Sequence, residues 1–170
     1  IGLPTAALLA NKGCIVAGVD NNPKIVSNIN KRNVNTTEKD LEIFIKSAIS
    51  SGRFKAFNCI QSSDVYIICV PTPFHKNTET PQPNIEHVLT ATKNIAPFIK
   101  PGDLIILEST SPVGTTEKVK KTLISSGANL NEVHIAYCPE RVLPGNIMTE
   151  LVGNDRVIGG LTSVSTKKAS

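Results

Sequence analysis

The sequence predicts an α/β chain folded as a doubly wound parallel sheet, and three observations carry that expectation. Short apolar runs alternate with longer amphipathic stretches from one end to the other, and parallel strands require crossover connections of this kind. Glycine stands where helices should stop, at Gly13 and Gly127, as left-handed helix caps require. The residues directly after the apolar runs are Asp20, Pro71-Thr72-Pro73, Glu108-Ser109-Thr110 and Pro139-Glu140-Arg141. In an open parallel sheet those are the ligand-facing positions.

Taken in order, Leu3 to Lys12 reads as a short apolar helix, and Cys14 to Val19 reads as a buried strand. Asn22 followed by Pro23 is an N-cap with proline at the first helical position, so a helix is expected to about Asn30. Thr37 with Asp40 resembles a capping box. The apolar residues that follow, Leu41, Phe44, Ile45, Ala48 and Ile49, have amphipathic helical spacing. Phe54 to Cys59 reads as a short strand and Val65 to Val70 as a buried one. The proline-rich stretch from Pro71 to Pro83 is long for a simple connection. Ile85 to Ala96 predicts a helix, Leu104 to Leu107 a strand, Thr116 to Ser126 a helix and Val133 to Tyr137 a strand. Arg156 to Ile158 is the expected last strand, and the final ten residues read as the start of another helix.

With 170 residues the chain can bury one ordinary core without staples. Apolar residues at 40% and charged ones at 19% place it among globular domains. The net charge of +4 comes from 18 basic and 14 acidic residues that are interspersed, the local basic clusters being pairs such as Lys120-Lys121 and Lys167-Lys168. Nucleic acid binding calls for a concentrated basic face, so no nucleic-acid partner is expected. A mildly basic surface suits an anionic cofactor or substrate.

Cys14, Cys59, Cys69 and Cys138 show no C-x-x-C spacing. Three of them lie within or at the end of apolar runs, which predicts buried free thiols in a reducing compartment. His75, His87 and His134 are far apart, so no metal site is expected. No apolar run is long enough to span a bilayer and no leader pattern precedes the first helix. A cytoplasmic protein without membrane partners is the expectation. The chain opens on Ile1-Gly2-Leu3-Pro4 without methionine, already in a helix start. A first strand is therefore expected to be missing upstream.

Gly2 would be the third glycine of a G-x-G-x-x-G fingerprint, the one that lets the helix pack close to the first strand of a Rossmann-like fold. Eighteen residues on, Asp20 ends the next strand, where a carboxylate accepts hydrogen bonds from the adenosine ribose hydroxyls. The competing reading is an Asp that merely orders its turn. Asn21 and Asn22 follow with no arginine, so a 2′-phosphate would meet a carboxylate and no cation. That favours NAD over NADP.

Four segments then occur in order: Ile1-Gly-Leu-Pro-Thr-Ala6, Val70-Pro-Thr-Pro73, Glu108-Ser-Thr-Ser-Pro-Val-Gly-Thr115 and Cys138-Pro-Glu-Arg-Val-Leu-Pro-Gly145. Together they resemble the UDP-glucose/GDP-mannose dehydrogenase family over nearly the whole chain. The Pro139 to Gly145 segment, followed by Asn154-Asp-Arg-Val-Ile-Gly-Gly160, is similar to the branch acting on UDP-N-acetylmannosamine, whereas UDP-glucose enzymes usually carry Pro-Glu-Phe-Leu-x-Glu-Gly at the first of these.

The resemblance implies a primary alcohol oxidised twice, two hydrides passing to two NAD molecules, through a cysteine thiohemiacetal and thioester. It implies that Gly2 and Asp20 serve the cofactor and that Val70, Pro71 and Thr72 line its adenosine and ribose side. Thr110 would lie near the nicotinamide and help hold the attacking water, and Glu140 would assist proton transfer during thioester hydrolysis. Arg141, Val142 and Leu143 would contact the sugar of a UDP-sugar substrate. Residues 1–160 would form the truncated NAD-binding domain and residues 161–170 the start of a linker or central helix. The central and UDP-binding domains would be absent, with the nucleophilic cysteine and the oxyanion lysine in them, so the isolated chain is expected to be inactive. A homodimer is implied for the full-length protein.

Plainer readings stand beside these roles. Glu140 could be a surface carboxylate paired with Arg141, Thr110 a hydroxyl capping the following turn, Cys138 an inert thiol, and His75 and Lys76 solvated loop residues. Other functions also stay open: a dehydrogenase acting on UDP-N-acetylglucosamine or UDP-glucose, a single-oxidation beta-hydroxyacid dehydrogenase, or a cofactor-binding module without activity.

Overall fold

The computed structural model describes residues 2–34, 36, 39–75, 80–143 and 145–170, with Lys39 described by its backbone alone. Ile1, Thr37 of the expected capping box, Lys76 of the long loop and Pro144 lie outside the described residues. In chain order the elements are α1 (Gly2–Asn11), β1 (Val16–Val19), α2 (Pro23–Asn30), α3 (Lys39–Ser50), β2 (Phe54–Phe57), β3 (Val65–Ile68), α4 (Glu86–Ile95), β4 (Leu104–Leu107), α5 (Thr115–Ser125), β5 (His134–Tyr137), α6 (Ile147–Gly153), β6 (Gly159–Gly160) and α7 (Ser163–Ala169). A single 3-10 turn, Ala96–Phe98, follows α4. No described helix is long and apolar enough to cross a membrane.

The chain divides into two compact units, one of Ile1–Gln61 with Arg141–Asp155 and one of Ser62–Glu140 with Arg156–Ser170. In the first, β1 and β2 pair in parallel from Val16 with Phe54 to Val19 with Phe57. The amphipathic spacing read for α3 holds: Leu41, Ile45 and Ala48 are buried with Ala7, Ala10, Val34 and Phe54, while Phe44 and Ile49 pack partly buried around them. The Asn22 side chain caps α2 by accepting from Lys24 N, with Pro23 at the first position. At φ 103° Gly13 ends α1 in the left-handed region. The short helix α6 adds Ile147 and Met148 to this core, an element the apolar spacing of so short a segment did not announce.

The second unit holds a four-stranded sheet in the order β3-β4-β5-β6. β3, β4 and β5 run parallel, in register from Val65 with Leu104 and from Leu104 with His134. Leu104, Ile105 and Leu107 are buried, as a central strand with packed faces requires. Helix α4 packs on β3, α5 on β5, and α7 on β4, β5 and β6.

The last strand departs from the sequence expectation. It forms at Gly159–Gly160 rather than Arg156 to Ile158, and it pairs antiparallel with β5, Ala136 opposite Gly160 and Tyr137 opposite Gly159. The reason is steric and specific. A Cβ on Gly160 would stand 2.3 Å from Thr166 N and 2.7 Å from Ser165 Cβ, so only glycine lets this strand slip beneath the start of α7. Leu161 N then donates to Ile135 O at 2.9 Å and completes the edge.

The cysteine expectation also needs correction. All four cysteines are free, but Cys14 and Cys59 are exposed and only Cys69 and Cys138 are partly buried. The apolar runs are longer than the strands they contain: β1 begins at Val16 and β2 ends at Phe57, which leaves both thiols outside the strands.

Candidate functional site

In the first unit Asp20 follows β1 directly. Its Oδ1 accepts from Asn22 N at 2.8 Å, and Asn22 Oδ1 in turn accepts from Lys24 N at 3.0 Å. Asp20 does order its turn, as the plainer reading held. It does so with one oxygen, and Oδ2 has no hydrogen-bond partner among the described residues. Asn58 Nδ2 donates to Asp20 O at 3.1 Å and fixes the backbone beneath it. Gly2 stands at the start of α1, whose first turn carries no acidic residue, so nothing on that turn opposes the partial positive charge of a helix N-terminus. Of the expected sugar contacts, Arg141 Nη1 donates to Asp155 O at 3.5 Å and Leu143 N to Glu150 Oε2 at 2.8 Å. Val142 is half-buried, and the Leu143 side chain is exposed.

In the second unit the segments after β3, β4 and β5 are tied together by side-chain bonds to backbone. Glu108 N and Ser109 N both donate to Ile68 O, at 3.0 and 3.1 Å. Buried Ser109 donates through Oγ to Val70 O at 2.7 Å. Thr72 Oγ1 donates to Thr110 O at 2.6 Å, and Ser111 N donates to Tyr137 OH at 3.2 Å. These bonds hold Val70, Pro71 and Thr72 beside Thr110 with exposed or half-buried surface on each. Thr110 is not the cap of the next helix. That helix starts after Gly114, with Thr115 Oγ1 donating to Pro112 O at 2.7 Å, and the Thr110 hydroxyl has no partner among the described residues.

Beneath this surface lies a charged cluster. Glu140 Oε2 stands 2.7 Å from Arg156 Nη1, and the Glu140 side chain is 3% exposed. Arg156 Nη1 also lies 3.8 Å from Glu108 Oε1. On its other oxygen, Oε2, Glu108 accepts from the Cys69 thiol at 2.8 Å. The plain alternative of a surface carboxylate is therefore corrected: the Glu140 side chain is buried, and it is ion-paired with Arg156. Two carboxylates share one guanidinium, so removing Arg156 would leave uncompensated buried charge, a loss of about 3 to 5 kcal/mol for such pairs.

The thiols beside this cluster are held protonated. Burial pushes Cys69 far above the ordinary thiol range, and the charge and hydrogen bond of Glu108 add to it. Burial also pushes Cys138 up, and Arg156 partly opposes that. Neither is suited to be a thiolate nucleophile. The sequence marks Glu140, Thr110 and Glu108 as strand-end residues but assigns no role to Cys69 or Arg156. The available signal was Arg156 itself, the one cation in the Asn154 to Gly160 segment, whose partner is visible only once β6 is known to run antiparallel to β5.

Residues 1–170 match the UDP-glucose/GDP-mannose dehydrogenase family, NAD binding domain. A UDP-N-acetyl-D-mannosamine dehydrogenase from Yersinia pestis is 45% identical over 100% of this chain and 42% of its own length. An NDP-N-acetyl-D-galactosaminuronic acid dehydrogenase from Ralstonia solanacearum is 42% identical over 95% of this chain and 40% of its own length. The solved UDP-N-acetyl-mannosamine dehydrogenase from Staphylococcus aureus superposes with a TM-score of 0.91 at 36% identity, over 99% of this chain and 41% of that one. This chain thus spans about two fifths of the length of these relatives. The doubly wound expectation and the motif resemblance meet in one result: the chain belongs to the UDP-glucose/GDP-mannose dehydrogenase family and corresponds to its NAD-binding domain.

Proposed function

We propose that this chain is the cofactor-binding part of a longer enzyme that oxidises the primary alcohol of UDP-N-acetyl-D-mannosamine to a carboxylate. The observation that carries the reading is Glu140, a carboxylate with a 3% exposed side chain, ion-paired and set at the end of a parallel strand. It belongs to a chain 45% identical to a dehydrogenase of that substrate. Bound NAD supplies the hydride acceptor for both oxidations. The alcohol loses a hydride and a proton to become an aldehyde, and a cysteine thiol from outside this chain adds to it as a thiohemiacetal. Loss of a second hydride and proton leaves a thioester. Water then adds to its carbonyl, the C–S bond breaks with its electron pair on sulfur, and carboxylate and thiol are released.

The chain's own residues suit this division of work. Asp20 Oδ2 is open to receive ribose hydroxyls, and the acid-free first turn of α1 suits a pyrophosphate. Val70, Pro71 and Thr72 line the adenosine and ribose side, the Thr110 hydroxyl holds the attacking water, and Glu140 takes the proton that water gives up. Arg141 to Leu143 contact the sugar. The same reading places the cofactor domain in residues 1–160 and the entry to a central helix in 161–170. It makes the full-length protein a cytoplasmic homodimer without a nucleic-acid partner.

A second reading keeps the chemistry and changes the sugar. Identity of 42% to an NDP-N-acetyl-D-galactosaminuronic acid dehydrogenase favours a 2-acetamido sugar of another configuration. Counting NADH released by the full-length protein separates the possibilities. About two NADH per UDP-N-acetylmannosamine consumed is the expected result, and one per substrate would end the double-oxidation reading. Faster turnover of an N-acetylgalactosamine nucleotide would move the assignment to the second sugar.

A further inference from the structure

We infer that Arg156 is the positioning residue for Glu140, holding that carboxylate in place for the hydrolysis step; this rests on the reading just given. The register of the sheet's last pair puts it there. β6 runs antiparallel to β5 with Tyr137 opposite Gly159. Tyr137 and Gly159 are the last paired residues on that side, and the segments leaving them carry Glu140 and Arg156, each three residues from the pair. The guanidinium meets Glu140 Oε2 at 2.7 Å.

The register itself is anchored outside the charged cluster. Gly160 N donates to Thr166 Oγ1 at 2.9 Å, and the absent Cβ at Gly160 leaves room only for the backbone of α7. Glu140 N donates to Glu108 O at 3.2 Å, so the backbone of the carboxylate is held from β4 while its side chain is held from the approach to β6. The charged and titratable groups around the guanidinium are Glu108 after β4 and Cys138 and Glu140 after β5, with Cys69 after β3 against the far oxygen of Glu108.

A guanidinium at this place serves better than an ammonium. Its Nη1 stands within ion-pair distance of both carboxylates and is held in a rigid planar group, whereas lysine is a mobile point charge. In the hydrolysis step the proton passes from water to Glu140 as oxygen bonds to the thioester carbon and sulfur leaves with the C–S pair. A carboxylate free to turn would make that transfer less often. Arg156 touches none of the reacting atoms. Its effect should therefore fall on the hydrolytic rate, with cofactor affinity and the two oxidations left intact.

The test uses the full-length protein with NAD and UDP-N-acetylmannosamine, comparing Arg156→Lys, Arg156→Met and Glu140→Gln. Both Arg156 variants should keep the rapid NADH burst and the wild-type KM for NAD. Steady-state turnover should fall by ~10²-fold in Arg156→Met, at the low end of what a positioned acid-base group supplies. Lysine should recover part of the loss, and nucleotide-sugar mass should accumulate on the protein. If Arg156→Met does not fold, Arg156→Lys decides the matter: a full burst with slowed steady state supports the inference. Wild-type turnover, or burst and steady state falling together, overturns it. An adduct in Glu140→Gln with none in Arg156→Lys removes the role of Arg156 alone, and no adduct in Glu140→Gln removes the underlying reading.

Discussion

Asp20 in the first unit and Glu140 in the second are both carboxylates set just after a parallel strand, and their surroundings differ in kind. Asp20 spends one oxygen on the Asn22 amide, and its other oxygen has no hydrogen-bond partner among the described residues. Glu140 has a side chain 3% exposed and pressed against a guanidinium. An acid ordered by a neighbouring amide is cheap to hold and ready to meet a ligand's hydroxyls. A desolvated ion pair contributes little net stability compared with apolar packing, which agrees with the proton-transfer role proposed for Glu140. On the proposed function, the two strand ends would divide the labour of binding and of proton transfer.

The largest effect should come from Glu140→Gln in the full-length protein, which keeps the shape of the side chain but cannot accept a proton. Hydrolysis should slow by ~10² to 10⁴, with a burst of NADH and a covalent adduct visible by intact mass. Wild-type turnover without adduct would reduce Glu140 to a structural member of the ion pair.

A smaller contrast separates the two sheets. A Cβ at Gly160 meets backbone at 2.3 Å, whereas one at Gly18 meets the far edge of the Phe54 ring at 2.7 Å. Gly160→Ala should lower stability by about 1 to 3 kcal/mol in thermal or denaturant unfolding. Gly18→Ala should cost less, because a ring edge can shift where a helix backbone cannot. Equal losses would mean that β6 is not locked under α7.

The mildest prediction concerns the thiols. Burial and Glu108 raise Cys69, so its thiolate population stays small at pH 8 and grows only well above the ordinary thiol range. Each unit of such a shift lowers the thiolate fraction about tenfold. Exposed Cys14 and Cys59 should react with iodoacetamide at pH 8 at least about tenfold faster than Cys69, as followed by peptide mass mapping. Matching rates would mean that the Cys69 to Glu108 bond does not form in solution.

Most of this fold was legible because its signals are local. Gly13 and Gly127 mark helix ends, Asn22-Pro23 starts α2, and the spacing of Leu41, Ile45 and Ala48 marks the buried face of α3. The strand-end positions of Asp20, Thr110 and Glu140 were legible for a related reason, since strand ends can be found from strands. What stayed hidden depends on contacts distant in sequence. Nothing near Gly160 reveals that α7 will cover it, and nothing near Arg156 reveals an antiparallel partner. Sequence distance therefore concealed the Arg156 guanidinium that stands beside Glu140. Helix α6 was missed because seven residues show too little periodicity to separate a helix from a loop.

The most direct test of the division of labour crosses the two carboxylates. NAD affinity by calorimetry and hydrolytic rate at saturating NAD would be measured for Asp20→Ala and Glu140→Gln in the full-length protein. Asp20→Ala should weaken NAD binding by about 1 to 3 kcal/mol, as the loss of a charged hydrogen bond does. It should also erase most of the roughly tenfold preference for NAD over NADP expected of a carboxylate at this place, while leaving hydrolysis at saturation near wild type. Glu140→Gln should do the reverse, with wild-type NAD affinity and a stalled thioester. If Asp20→Ala leaves NAD binding unchanged, or Glu140→Gln weakens it as much as Asp20→Ala does, the two strand ends do not divide binding from chemistry and the account fails.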